Sequence, residues 1–303
     1  MDHLSSLRGR RPVNGSKGQG CLYSILYLPR ERLEGVLNRL VRPIAFEIQD
    51  HPDLESLFFV RYSEPRWQLR FRVLGSPAWV DGPLRDNVER RVRELEAEGD
   101  IEGHELTRYD REYDRYGGEL GMGLAEKLFH LDSLACLEIV RLDDAGLLAK
   151  SRREYAMALV DRFLDLTPFS SEDRLEFYKY GYAWALDQKT WGPDDLSSLE
   201  ERFQRLRGGL EKLFFRTKEE DPARFYGGPE AAVVATQFLE RARPVVESIL
   251  HEHKSGRIEQ DLRYLFWSYA HMMTNRLGVE ANPEAILRFF MFRLLEERSR
   301  RAA

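Results

Sequence analysis

Two cysteines in 303 residues, Cys21 and Cys136, are too few for a disulfide scaffold and too far apart for any zinc-finger spacing, a usage that fits a reducing cytoplasm. No metal site is expected. There is no run of about 18 apolar residues, and no apolar stretch follows the basic residues of MDHLSSLRGRRPVNGSKGQG, so the sequence predicts neither a spanning helix nor a secretion signal. Nor is there an excess of positive charge. Lys and Arg number 46 against 51 Asp and Glu, a net −5, which excludes a global basic field for wrapping nucleic acid. A phosphate loop, a dinucleotide fingerprint and a Gly-x-Ser-x-Gly elbow are also missing. His251-Glu252-His253 sets its histidines two apart, which diverge on a helix, and His130-Leu131-Asp132-Ser133 is local proximity, which does not make a triad.

What is present is a core. Hydrophobic residues make up 43% of the chain, enough apolar surface for a globular fold, and at this length two packed lobes are expected. Residues 1–20 mix Ser, Gly, Asn, Arg and Lys without periodicity and read as a disordered tail. CLYSILYL then reads as a buried strand, and PRERLEGVLNRLV places Leu33, Val36, Leu37 and Leu40 at helical spacing. LFFVRYSE and RWQLRFRVL are strand-like runs joined across Glu64-Pro65 closely enough for an antiparallel hairpin. A helix follows on Leu84, Val88, Val92 and Leu95, stopped by Gly99, and HELTRYD supplies a fourth strand. The order β-α-β-β-α-β predicts an α+β fold with a ferredoxin-like lobe over residues 21–118. Beyond Gly118 the period is helical, broken at TPFSSED, TWGPDD, YGGPEA, KSG and GVEANP, so 119–303 should be a mainly helical lobe.

Three segments could carry chemistry. Alternation in RWQLRFRVL sets Trp67, Leu69, Phe71 and Val73 on one side and Gln68, Arg70 and Arg72 on the other. Two guanidiniums in a row match a carboxylate or phosphate, and the same pattern also suits an ordinary solvated face. RYDREYDRYGG interleaves charges before a Gly-Gly break. Glu112 would share a face with Arg115 if the segment is helical, orienting the guanidinium towards a ligand or merely lacing a solvated loop. In IEQDLRYLFWSYAHMMTNRL, one stripe carries Leu262, Phe266, Tyr269 and Met273. Tyr264, Trp267, Ser268, His271 and Asn275 cluster opposite, so His271 is either a satisfied core histidine or a neutral base.

Taken in order, CLYSILYLP, LFFVRYSEP, LRFRV, YDREYDRYGG, LFHLDS and SYAHMMTNRLG resemble the C-terminal domain of lantibiotic dehydratases, the thiopeptide-type bacteriocin biosynthesis family, from about Cys21 to about Phe292. The YDREYDRYGG and HMMTNRL boxes are its most specific parts. In full-length members a larger domain uses glutamyl-tRNA to esterify Ser or Thr of a precursor peptide, and this chain looks like a freestanding version of the second part. The resemblance implies one of two activities. The first is elimination of glutamate to leave dehydroalanine or dehydrobutyrine; the second is a [4+2] cycloaddition of two dehydroalanines that builds a pyridine macrocycle. A noncatalytic module that binds the peptide or a partner is the remaining alternative.

By motif, the eliminating residues fall on Arg70, Arg72, Glu112, Arg115 and His271, with Gln68, Tyr116 and Asn275 as substrate contacts. Gln68 departs from the family, which commonly has His there. The resemblance implies no cofactor and, as partners, a precursor peptide with its leader and a separate tRNA-dependent glutamylating protein, without direct contact to nucleic acid or membrane. A weakly acidic peptide Cα–H requires a base, for which His271 is the candidate. Arg70 and Arg72 would hold the glutamyl carboxylates, and Glu112 its ammonium or Arg115.

Overall fold

The computed structural model describes residues 19–188 and 190–302. It is an α+β fold, mostly helical, with one four-stranded antiparallel sheet near the N-terminus. The expected tail lies outside the described residues except for its end, where Gly20 opens strand β1 (Gly20–Tyr27) and pairs with Gly75. Helix α1 (residues 30–48) runs past Val41, where the sequence reading stops it. Its hydrogen-bond ladder widens to π spacing over Leu37–Val41, and Pro43, which has no N–H to lose, sits in the turn where the α ladder restarts. Strands β2 (Leu54–Tyr62) and β3 (Gln68–Gly75) form the expected hairpin around a cis Glu64–Pro65 bond. Helix α2 (residues 77–97) and strand β4 (Gly103–Leu106) complete the sheet, in the order β2-β3-β1-β4.

Among the described residues, helices follow without further strands: α3 (Tyr113–Tyr116), α4 (Gly118–Asp144), α5 (Arg152–Leu164), α6 (Ser171–Asp187), α7 (residues 193–220), α8 (Pro222–Tyr226), α9 (Pro229–Lys254), α10 (Leu262–Arg276) and α11 (Ala281–Ala302). None of the described helices is long and apolar enough to cross a membrane.

Strand β2 lies at an edge of the sheet, where unpaired backbone groups invite another strand. Here helix side chains take that place. His130 Nδ1 accepts from the Leu57 N–H at 3.2 Å and Ser133 Oγ from the Phe59 N–H at 3.4 Å, both from α4. From α10, Arg276 Nε donates to the Phe59 carbonyl at 2.9 Å, while the Asn275 amide both accepts from the Arg61 N–H and donates to its carbonyl, each at 2.9 Å. The Arg276 guanidinium is wholly buried over the Phe129 ring and donates to Asp132 Oδ2 at 2.6 Å, tying α10 to α4 behind the strand. These bonds fix where α10 lies against the sheet, and therefore where His271 stands.

Candidate functional site

One face of the sheet carries Arg72 in the centre. Cross-strand register sets Tyr23 of β1 and Phe58 of β2 directly opposite it, and opposed residues in an antiparallel pair share a face. The guanidinium consequently lies 4.0 Å from the centre of the Tyr23 ring, 5.5 Å from Phe58 and 4.9 Å from Tyr109, which arrives after β4. It is 9% exposed, its Nε has no hydrogen-bond partner, and no carboxylate pairs with it among the described residues. The ring faces hold the cation in place without neutralising it.

Before α4 the chain must reverse sharply. Gly117 (φ +81°) and Gly118 (φ +87°) both adopt left-handed conformations, and a Cβ on Gly117 would lie 2.6 Å from Ile258 Cγ2. In the preceding turn Arg115 Nη1 donates to Glu112 Oε2 at 2.9 Å and its Nε to Ser268 Oγ of α10 at 3.3 Å. Glu112 is exposed and Tyr116 is buried, stacked on Tyr269 at 5.7 Å between ring centres.

Helix α10 starts at Asp261, whose side chain accepts from the Tyr264 N–H at 3.1 Å, and stops at Gly278 (φ +78°). His271 lies parallel to Trp267, 5.4 Å between ring centres and 4° between planes. Its Nδ1 is 2.8 Å from Glu284 Oε2 of α11, and the other oxygen of that buried carboxylate accepts from Arg288 Nη2 at 3.0 Å. Burial alone would raise the Glu284 pKa; His271 and Arg288 together outweigh it and hold the carboxyl below its ordinary value.

A cavity of about 670 Å³ joins these parts, within the usual size of small-molecule sites. Arg72, Glu112, Arg115, Tyr116, His271 and Asn275 all line it, although up to 203 positions separate them (275 minus 72). Arg70 and Gln68 do not. Arg70 shares the face of Arg72, yet its guanidinium lies 3.7 Å over the Tyr62 ring and its Nε donates to Gln68 Oε1 at 2.9 Å. Gln68 is buried and donates in turn to the Glu64 carbonyl at 2.9 Å, tying down the β2–β3 turn. Asn275 lines the cavity with its amide already engaged on β2.

Sequence reasoning missed the aromatic setting of Arg72 and the pair Glu284–Arg288. The second left a signal: both residues stand at i, i+4 on the stripe of α11 that also carries Met291, so charge sits where the helical period demands apolar residues.

The family model described as lantibiotic biosynthesis dehydratase C-term matches residues 22–295. The subtilin biosynthesis protein SpaB of Bacillus subtilis is 31% identical over 140 residues, 44% of this chain and 14% of that protein. Among solved structures, the tRNA-dependent lantibiotic dehydratase MibB of Microbispora sp. 107891 is similar at 22% identity and a TM-score of 0.69, over 97% of this chain and 29% of that one. TbtD, a pyridine synthase from thiomuracin biosynthesis, is similar at 14% identity and a TM-score of 0.67, over 91% of this chain and 98% of its own. TsrL gives 18% identity and a TM-score of 0.65, over 93% and 96%. The chain thus spans only a small part of SpaB and MibB.

Proposed function

Because the chain belongs to the lantibiotic biosynthesis dehydratase C-terminal family, whose members modify ribosomally made peptides, we propose that it eliminates glutamate from glutamylated Ser or Thr of a precursor peptide. The observation that carries this reading is the unneutralised Arg72 guanidinium, buried among rings and sharing one cavity with Arg115 and His271. An empty cation in low dielectric is a site for an anion. A glutamyl ester brings a free side-chain carboxylate and turns its ester carboxyl into a second one as it leaves.

His271 takes the Cα proton of the esterified residue. The Cα–H electron pair becomes the new Cα–Cβ π bond, and the Cβ–O bond breaks with its electrons on the departing carboxylate. Products are dehydroalanine or dehydrobutyrine and free glutamate, with the proton on imidazole. Arg72 and Arg115 stabilise the carboxylates, and Glu112, at the exposed rim, receives the glutamyl ammonium or orients Arg115. Arg70 acts from outside the lining, through Gln68 and the β2–β3 turn. The proposed partners are a leader-bearing precursor peptide and the tRNA-dependent activity that installs the glutamate.

A second reading, [4+2] pyridine formation from two dehydroalanines, is favoured by the fold shared with TbtD; there the arginines would grip peptide carboxylates. Purified protein offered a glutamylated peptide should cause loss of the glutamyl mass and appearance of free glutamate, and His271→Ala should not. Retention of glutamate by the wild type, with new pyridine absorbance and leader release from a bis-dehydroalanine peptide, would move the assignment to cycloaddition. We infer likewise that residues 21–118 form a ferredoxin-like lobe packed on a helical lobe of 119–303, a reading that the strand order β2-β3-β1-β4 supports.

A further inference from the structure

The proton acceptor proposed above has two ring nitrogens, and Nδ1 is already engaged by a carboxylate. Nδ1 faces Glu284, which lies on α11 outside the cavity lining, so the nitrogen left for the cavity is Nε2. Glu284 is buried at 4% exposure and Arg288 at 3%, and the two charges pair with each other and with His271 alone among the described residues. An ionised carboxylate accepts hydrogen bonds and donates none, so the proton of the neutral imidazole must be on Nδ1. Trp267 lies parallel to the imidazole, and the Nδ1 contact to Glu284 at 2.8 Å fixes which ring nitrogen faces α11.

We propose that Glu284, held in place by Arg288, is the positioning residue that sets His271 as the Nδ1–H tautomer and thereby keeps the Nε2 lone pair directed into the cavity. When Nε2 takes the proton, the positive charge that forms on the ring lies against this carboxylate, in the manner of the Asp in a Ser–His–Asp triad. The inference rests on the elimination reading only for the identity of the proton donor; the tautomer itself is a property of the free protein.

Arg288 makes the proposal sharp. Its Nη2 occupies Glu284 Oε1, so in Glu284→Gln the amide oxygen stays with Arg288 and the amide N–H₂ is turned on His271 Nδ1. The ring must then accept at Nδ1 and carry its proton on Nε2, where it no longer serves as a base. In Glu284→Gln/Arg288→Met the amide is free to reverse, and its oxygen accepts from Nδ1–H once more.

The test combines ¹⁵N imidazole NMR of the full chain with single-turnover glutamate release from a glutamylated peptide. The neutral imidazole of wild-type His271 should be protonated at Nδ1. Glu284→Gln should shift the signals to the Nε2–H form and slow release about 10²- to 10⁴-fold with peptide binding little changed. The double variant should be at least tenfold faster than the single one, a recovery that a purely structural ion pair would not produce. A wild-type Nε2–H tautomer, a Glu284→Gln rate within threefold of wild type, or a double variant slower than the single would each overturn the proposal. Failure of the wild type to release any glutamate would overturn the functional reading instead, and the wild-type NMR spectrum would still decide the tautomer, even if the variants do not fold.

Discussion

Replacing Arg276 by Met should destabilise this protein more than any surface substitution, although Arg276 is not a candidate for catalysis. Its guanidinium is fully buried, donates to Asp132 at 2.6 Å and to the Phe59 carbonyl at 2.9 Å, and lies 4.6 Å over the Phe129 ring. Met fills most of the volume but leaves Asp132 as an unpaired charge at 4% exposure, and breaking a buried pair from one side costs about 3–5 kcal/mol. The orphaned Phe59 carbonyl adds roughly 1–3 kcal/mol. Burial already pushes the Asp132 carboxyl above its usual pKa range, with Arg276 opposing; in Arg276→Met the acid takes up a proton, which holds the total near the lower end, about 4 kcal/mol. The assay is urea denaturation at pH 7, followed by tryptophan fluorescence. Asp132→Leu should lose a similar amount, because it leaves the guanidinium unpaired instead. Asp132→Leu/Arg276→Met should lose less than either, since removing both charges removes the desolvation penalty with them. Losses that simply add in the double variant, or a loss below about 1 kcal/mol for Arg276→Met, would refute the claim that this pair holds α10 against the sheet.

Arg72→Lys should nearly abolish glutamate release, because a Lys point charge lacks the planar fork stacked among Tyr23, Phe58 and Tyr109, whereas Arg70→Ala, altering a residue outside the cavity lining, should cost about tenfold at most; equal defects in a peptide-elimination assay would contradict this ordering. His130 is held by burial, with help from Arg241, at a pKa of about 4 against 6.5 unfolded, so the neutral ring contributes stability fully present above pH 6.5 and lost as pH falls from 6.5 to 4. That amounts to roughly 3 kcal/mol, and His130→Gln, which still offers an oxygen to the Leu57 N–H, should flatten denaturation midpoints across this window. Gly117→Ala meets both a left-handed φ, about 1–2 kcal/mol, and Ile258; Ile258→Ala should recover the steric part only, measurable as a partial return of the thermal midpoint.

Much of the fold is written in local pattern. The apolar run CLYSILYL, the alternation of RWQLRFRVL, the Glu64-Pro65 break and the switch to a 3.6-residue period reveal four strands and a long series of helices, because backbone period and core burial act within a few residues of each other. The same pattern separates Arg70 and Arg72 from the apolar face of β3, and marks Glu112 with Arg115 as partners one helical turn apart, now bonded at 2.9 Å. Local pattern also has limits: the sequence reading ends α1 at Val41, although Ile44, Ala45 and Ile48 continue its buried stripe past Pro43 and the π turn at Leu37–Val41.

Tertiary structure alone decided which of those residues meet. Arg70 and Arg72 are equivalent in an alternating strand, and differ only because Tyr62 and Gln68 take one guanidinium while the rings of Tyr23, Phe58 and Tyr109 surround the other over the cavity. Glu284 comes 13 residues after His271, across a break at Gly278, so no helical or strand period relates them; their 2.8 Å contact exists because α11 folds back beside α10. Charge on the buried stripe of α11 was visible in the chain, but its partner was not, since Coulombic pairing depends on distance in space and sequence records only distance along the backbone.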